Sequence, residues 1–371
     1  MFFSKITKVQ SVLDKFGKII DADRTRCVQL RAKNSVVCKD CLSVCPSFAI
    51  SVTSNDVVID SEKCTECGIC CKACKTGVFT HKNFKEYDFY NKLSVQSGKQ
   101  GHVVISCLKC NTPNQKNILS VPCLGCVDTV ALMWSIACGA KKIHLHYNDC
   151  AKCETGGGVD AVTHEIENTK KTLGSFLSRN DIELFVTDQI YQPTSDIEQL
   201  PSNDEAITRR ELFGYFKKRT KNSIAQALNY ISETNEVHLP PPGAVIKSKI
   251  ELPPKKRYFT RAIKEIFPHL DESANILESK YAGIVLIDGD KCNLCGVCYK
   301  LCPTGALKEI TRINDQGFSQ KVGISLHLNE CLKCNLCIEL CTAKAVSYQS
   351  GFTLDEYVKL QETNIEYVPT F

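Results

Sequence analysis

No apolar run in this chain approaches the roughly 20 residues that a membrane-spanning helix needs. The opening MFFSKITKVQ carries Lys5 and Lys8 and lacks a continuous apolar core, so it does not read as an export signal. Excess charge is scarce as well. Forty-six Lys and Arg against 41 Asp and Glu leave a net +5, and without interleaved aromatic and basic residues this gives no reason to expect nucleic acid. GxGxxG and P-loop phrases are missing, as is any flavin, nicotinamide or molybdopterin fingerprint. What is abundant is cysteine, 24 in 371 residues. Disulfide scaffolds of such density are usually small and exported. In a chain long enough for two or three domains, the thiols read instead as metal ligands in a reducing cytoplasm.

Their spacing says which metal chemistry. Cys292, Cys295, Cys298 and Cys302, followed by Pro303, fall in CxxCxxCxxxCP, the spacing that holds cubic iron–sulfur clusters. Two residues between thiolates let one loop wrap three corners of a cube, while the fourth Cys points to a partner cluster. One phrase therefore predicts a second, found at Cys331, Cys334, Cys337 and Cys341. The expected sharing is Cys292, Cys295 and Cys298 with Cys341, and Cys331, Cys334 and Cys337 with Cys302. From Ile284 to Tyr348 the chain resembles the two-cluster bacterial ferredoxins.

A second such module is expected between Cys27 and Thr80. Cys64, Cys67, Cys70 and Cys74 form a full phrase, with Lys75 where Pro is usual. Cys38, Cys41 and Cys45, followed by Pro46, match positions two to four, but position one falls on Ser35. Cys27, eleven residues before Cys38, is the nearest free thiol, and a loop of that length can return it to the cube. Cys27, Cys38, Cys41 and Cys74 would then hold one cluster, and Cys45, Cys64, Cys67 and Cys70 the other. Ligation by Ser35 or water, or a three-iron cluster, is the alternative. Cys71 is read as unligated.

From Gly101 the pattern changes to strands at 102–106, 118–121, 143–147 and 182–187, alternating with helices at 128–137 and 159–176. That predicts a small parallel sheet covered by helices. Cys107, Cys123 and Cys150 lie at strand C-termini, the edge where open parallel sheets bind ligands, and Cys110, Cys126 and Cys153 each follow three residues later. The phrases VPCLGCVD at 121–128, CGAKKI at 138–143 and HYNDC at 146–150, with Gly156 to Gly158 beyond, resemble the delta (iron–sulfur) subunit of methyl-viologen-reducing hydrogenases. The resemblance covers 101–188 and implies a cluster bound at these strand ends and traffic with a flavin subunit. Cys126 stands where that family usually has Arg, and Leu145 where it usually has Cys. Cys107, Cys110, Cys123 and Cys150 are the favoured ligands of one further cluster, 2Fe-2S or 4Fe-4S. Cys126 and Cys153 are substitutes or ligands of another. A four-thiolate zinc site and a redox dithiol stay open beside it. His144, His146 and Cys138 are expected to pack rather than ligate, and Gly156 to Gly158 to form a close turn.

The remaining stretches carry no expected chemistry. Phe2, Ile6, Val9, Leu13, Phe16 and Ile20 make one apolar stripe of an amphipathic helix, expected to pack on protein rather than lie on a membrane surface. Residues 191–280 read as a helical and Pro-rich connector, with helices at 204–231 and 258–270 and stiff Pro240–Pro242 and Pro253–Pro254. The expected architecture is an α+β and α/β multidomain protein: N-terminal helix 1–26, ferredoxin-like module 27–95, α/β domain 101–190, connector 191–280, ferredoxin-like module 281–350 and tail 351–371. Its expected role is electron relay, entering at one module, crossing the central site and leaving by the other or converging there. A catalytic or flavin-containing subunit, or a ferredoxin, is the expected partner. The alternatives are a thiol–disulfide reductase working at the central Cys pairs, and a zinc- or cluster-containing regulatory or assembly protein.

Overall fold

A computed structural model of the chain describes residues 19–33, 35, 38–110, 117–188, 249–266, 268, 280–350, 352–362 and 365–368. The apolar stripe of residues 2–16, the helix expected at 204–231 and the Pro240–Pro242 connector lie outside them. Ile20, the last residue of that stripe, opens a strand, Ile20–Ala22.

The fold mixes α and β. Its largest sheet has four parallel strands in the order Ile118–Val121, His102–Cys107, Lys142–His146, Glu183–Thr187. All six residues of His102–Cys107 are buried, as an inner strand of a sheet covered on both faces requires. Val103, Val104 and Ile105 supply the β-branched run. Helices Glu86–Gln100, Thr129–Ala137 and Gly158–Leu173 surround this sheet. Thr129–Ala137 starts where the Asp128 carboxylate accepts the Ala131 amide at 2.9 Å, and it is apolar enough to bury seven of its nine residues.

Around the parallel sheet sit small antiparallel pairs: Ile20–Ala22 with Phe79–His81, Ile50–Val52 with Val57–Ile59, and Val285–Ile287 with Val346–Tyr348. A longer hairpin, Leu307–Ile313 with Ser319–Leu326, takes Ile365–Tyr367 as a third strand. Residues 351–371, expected as a tail, thus supply helix Leu354–Glu362 and this edge strand.

One helix joins the parts. Pro254–Ile266 begins four residues before the expected Tyr258, because Pro at a first helical position loses no hydrogen bond that the helix would have made. Tyr258 stacks on Tyr90 with centroids 4.3 Å apart and meets the Trp134 ring edge-on at 5.0 Å. Phe259, Ala262 and Ile263 are fully buried, each large apolar side chain contributing roughly 1.5–3 kcal/mol. Two buried lysines reach outward from the same helix. Lys255 Nζ donates to the carbonyls of Cys71 and Lys72, and Lys256 Nζ donates to the Tyr281 carbonyl and the Tyr357 hydroxyl, each at 3.1 Å. The cost of burying an ammonium is met by these carbonyl and hydroxyl acceptors.

Candidate metal centres

Four stretches of chain repeat one backbone shape around their cysteines. The residue three beyond the last Cys of each phrase has positive φ: Phe48 at 51°, Gly77 at 70°, Gly305 at 81° and Lys344 at 51°. In three of them the amide of the residue after that donates to the last Cys sulfur, Ala49 to Cys45 at 3.3 Å, Val78 to Cys74 at 3.4 Å and Ala345 to Cys341 at 3.2 Å. A hydroxyl two residues after Cys45, Cys74 and Cys302 lies 3.8, 3.4 and 3.8 Å from its sulfur. The residue before the second Cys is left-handed in three phrases, at Glu66, Leu294 and Lys333, and the residue after it also, at Gly68, Gly296 and Asn335. Short helices start there: Ile69–Ala73, Val297–Leu301 and Leu336–Glu339. The first phrase departs, since Lys39 after Cys38 has φ −114°.

These shapes gather thiols across phrases. Cys27, Cys38, Cys41 and Cys74 line one cavity of about 30 Å³, while Ser35 is exposed in a bend. Cys45, Cys64, Cys67 and Cys70 line a second, of about 20 Å³. A third, also about 20 Å³, is lined by Cys302, Cys331, Cys334 and Cys337. Cys292, Cys295 and Cys341 act together on Cys298, whose thiol burial and these neighbours raise to about 12. Cys71 is buried beside Cys70.

At the parallel sheet the strand ends bring Cys107, Cys110, Cys123 and Cys150 together. Burial and then the thiols of Cys107, Cys67 and Cys150 push Cys123 up to about 12. Burial and Cys107 push Cys110 up to about 11, and its sulfur reaches the His146 carbonyl at 4.0 Å. The Cys107 sulfur lies 3.5 Å from the Pro122 carbonyl. Cys126 and Cys153 diverge. Cys126 lies beside Cys123 as well as Cys67 and Lys72, and burial raises its thiol strongly. Cys153 is the opposite case. Its partial burial is outweighed by the amides of Thr155 and Gly156 and by Lys109, which hold its thiol below the usual range. His146 is buried with its ring nitrogen Nδ1 3.2 Å from Ser106 Oγ, and His144 stacks on Phe185 at 4.7 Å, as packing residues do. Cys138 caps helix Thr129–Ala137, and burial pushes its thiol up to about 11.

The donor sets suit iron–sulfur cubes. Thiols raised by burial and by neighbouring thiols are poor anions alone, and a cationic core is what makes their deprotonation favourable. Cys41, raised by burial and by Cys74, Cys38 and Cys27 to about 12, and Cys334, raised by burial and by Cys302 and Cys331 to about 12, are examples. Among the described residues no three or more His, Cys, Asp or Glu side chains close around a single metal ion. A four-iron cube spaces its thiolates farther apart than a lone ion does.

Basic and acidic groups that the Cys spacing did not indicate stand between the sets. Arg31, 1% exposed, lies beside Cys302 and Cys334; burial lowers its pKa while those sulfurs raise it. Glu165 accepts from Thr129 Oγ1 at 2.7 Å and pairs with Lys280 at 2.7 Å and Lys72 at 3.4 Å. Burial alone would raise its carboxyl, but the two ammonium groups and Thr129 hold it at about 2. Neither Arg31 nor Glu165 sits in a recurring phrase, so only the folded chain reveals them.

A family profile described as the 4Fe-4S binding domain matches residues 285–308, the stretch that contains Cys292, Cys295, Cys298 and Cys302. No curated protein matches the chain significantly. Among the described residues no helix is long and apolar enough to cross a membrane. Residues 285–308 form an iron–sulfur binding module of the ferredoxin type, and the chain is an iron–sulfur electron-transfer protein.

Proposed function

We propose that the chain is a multi-cluster electron-transfer subunit of an anaerobic, cytoplasmic oxidoreductase complex of hydrogenase, formate dehydrogenase or heterodisulfide-reductase type. The observation that carries this is the crossed gathering of thiols, in which the last Cys of each phrase joins the first ones of its partner phrase. On this reading the ligand sets are Cys27, Cys38, Cys41 and Cys74; Cys45, Cys64, Cys67 and Cys70; Cys302, Cys331, Cys334 and Cys337; and Cys292, Cys295, Cys298 and Cys341. Cys107, Cys110, Cys123 and Cys150 hold a further cluster. A bound cube supplies reversible one-electron storage. The chain's own residues fix its corners, donate amide hydrogen bonds to its ligand sulfurs from Ala49, Val78 and Ala345, and limit water access by leaving no ligand thiol but Cys295 exposed. Substrate chemistry belongs to a catalytic or flavin-containing partner, or to a ferredoxin that exchanges electrons with it.

A thiol–disulfide reductase is the second reading, drawn from the low-lying Cys153 thiol. Cys126, the other central thiol outside the favoured set, is instead raised by burial beside Cys123, Cys67 and Lys72. Anaerobic iron and sulfide analysis with EPR separates the readings. About five clusters and no turnover without an added catalytic subunit are expected; turnover of a disulfide by the isolated chain, or a zinc-only preparation, rejects the proposal. Copurification from the native cell identifies the partner.

A further inference from the structure

We propose that the five thiol sets form a single file with the parallel-sheet set at one end, rather than in the middle between the two ferredoxin-like modules. This rests on the proposed function and orders its sites. The two modules touch directly: Cys334 lines the same cavity as Cys27, Cys38, Cys41 and Cys74. Val28, Ala32 and Leu336 form a buried cluster at that junction with Cys38 and Cys334 packed against it. Lys75 Nζ crosses the same boundary to the Lys333 carbonyl at 3.2 Å.

The parallel-sheet set meets the N-terminal module at a different place. Cys67, Ile69 and Cys123 share a buried cluster, and Cys67 is the thiol outside the sheet that acts on Cys123. The approach is close. A Cβ on Gly125 would stand 2.7 Å from the Ile69 side chain, and one on Gly158 would stand 2.7 Å from Cys123 Sγ; both distances are below those real Cβ atoms show, so a side chain at either position would force its neighbour to shift.

The order is therefore the sheet set, then Cys45 with Cys64, Cys67 and Cys70, then Cys27 with Cys38, Cys41 and Cys74, then Cys302 with Cys331, Cys334 and Cys337, and last Cys292 with Cys295, Cys298 and Cys341. In the last set Cys295 is exposed; in the sheet set Cys107, Cys110 and Cys123 are buried and Cys150 is half-buried. Electron transfer falls steeply with distance, so partners for entry and exit belong at these two ends.

The full chain, loaded anaerobically and reduced with titanium(III) citrate, tests this by EPR. Cys38→Ser with Cys41→Ser is expected to lose one cluster's iron and to remove one of the two spin–spin couplings on the Cys302, Cys331, Cys334 and Cys337 signal, leaving the one to the Cys292, Cys295, Cys298 and Cys341 set. Cys107→Ser with Cys123→Ser is expected to leave both couplings intact and to narrow the Cys45, Cys64, Cys67 and Cys70 signal. The reverse pattern overturns the order. If either variant loses more than its own iron, pulsed-EPR distances in the unsubstituted chain decide. The shortest distance from the sheet set should run to the Cys45, Cys64, Cys67 and Cys70 set, and a shorter one to either C-terminal set overturns the order. A chain without iron sinks the functional reading itself, whereas an iron-replete chain with the wrong neighbours sinks only the order.

Discussion

Glu165 is a carboxylate 5% exposed between two ammonium groups, and its pairs with Lys72 and Lys280 fasten the helix of Cys70 to helix Gly158–Leu173. Replacing it by Gln leaves buried Lys72 without a counter-charge, so Glu165→Gln is expected to destabilise the loaded chain by about 3 kcal/mol, read as a lowered anaerobic Tm. The pH dependence follows from its sign. The folded carboxyl lies near 2 against an ordinary 4.5, so its contribution is complete above about pH 4.5 and disappears as pH falls toward 2. The gap between wild type and variant should close over that window and stay constant above it. A second test at this scale uses Cys341, expected to serve the cluster built on the other loop. Cys341→Ser should damage the Cys292, Cys295 and Cys298 signal and spare that of Cys331, Cys334 and Cys337; loss confined to the latter would refute crossed ligation. Residues also mark how far reading the chain can go. The place of Cys27 in the cavity of Cys38, Cys41 and Cys74 was reachable because one thiol was missing from a repeated phrase and one was spare. The left-handed position three beyond each last Cys was not, since Phe48, Gly77, Gly305 and Lys344 share no chemistry that announces a turn.

Among the elements, the parallel strands were the most legible. Their β-branched runs and turn residues placed Ile118–Val121 at both ends and the others to within a residue or two, and the Cys at strand ends followed from that. Helix Pro254–Ile266 was less so. Its buried face contains Lys255 and Lys256, which a pattern reading counts as solvent-facing; their acceptors come from distant parts of the chain. The helix is consequently a clamp between modules rather than a spacer. Phe259→Ala should cost about 3–5 kcal/mol, measured by anaerobic denaturant unfolding; a loss under 1 kcal/mol would remove the clamp from the account.

At the scale of the whole molecule, the two thiol-rich parts outside the parallel sheet are thin. Several of their strands are three residues long, and elements that short bury little apolar surface. On the proposed function, bound iron would carry a large part of their stability. Chelation under anaerobic reducing conditions is expected to unfold both thiol-rich parts while the parallel sheet, with its own covering helices, keeps its far-UV signal. A chelated chain with an unchanged near-UV spectrum and Tm would contradict that division of labour.

The tight seat of Ile69 against Gly125 makes position 125 a shim. Alanine, then valine, placed there would wedge the two neighbouring sites apart in graded steps without altering a ligand, offering a way to throttle the current between them by choosing one side chain.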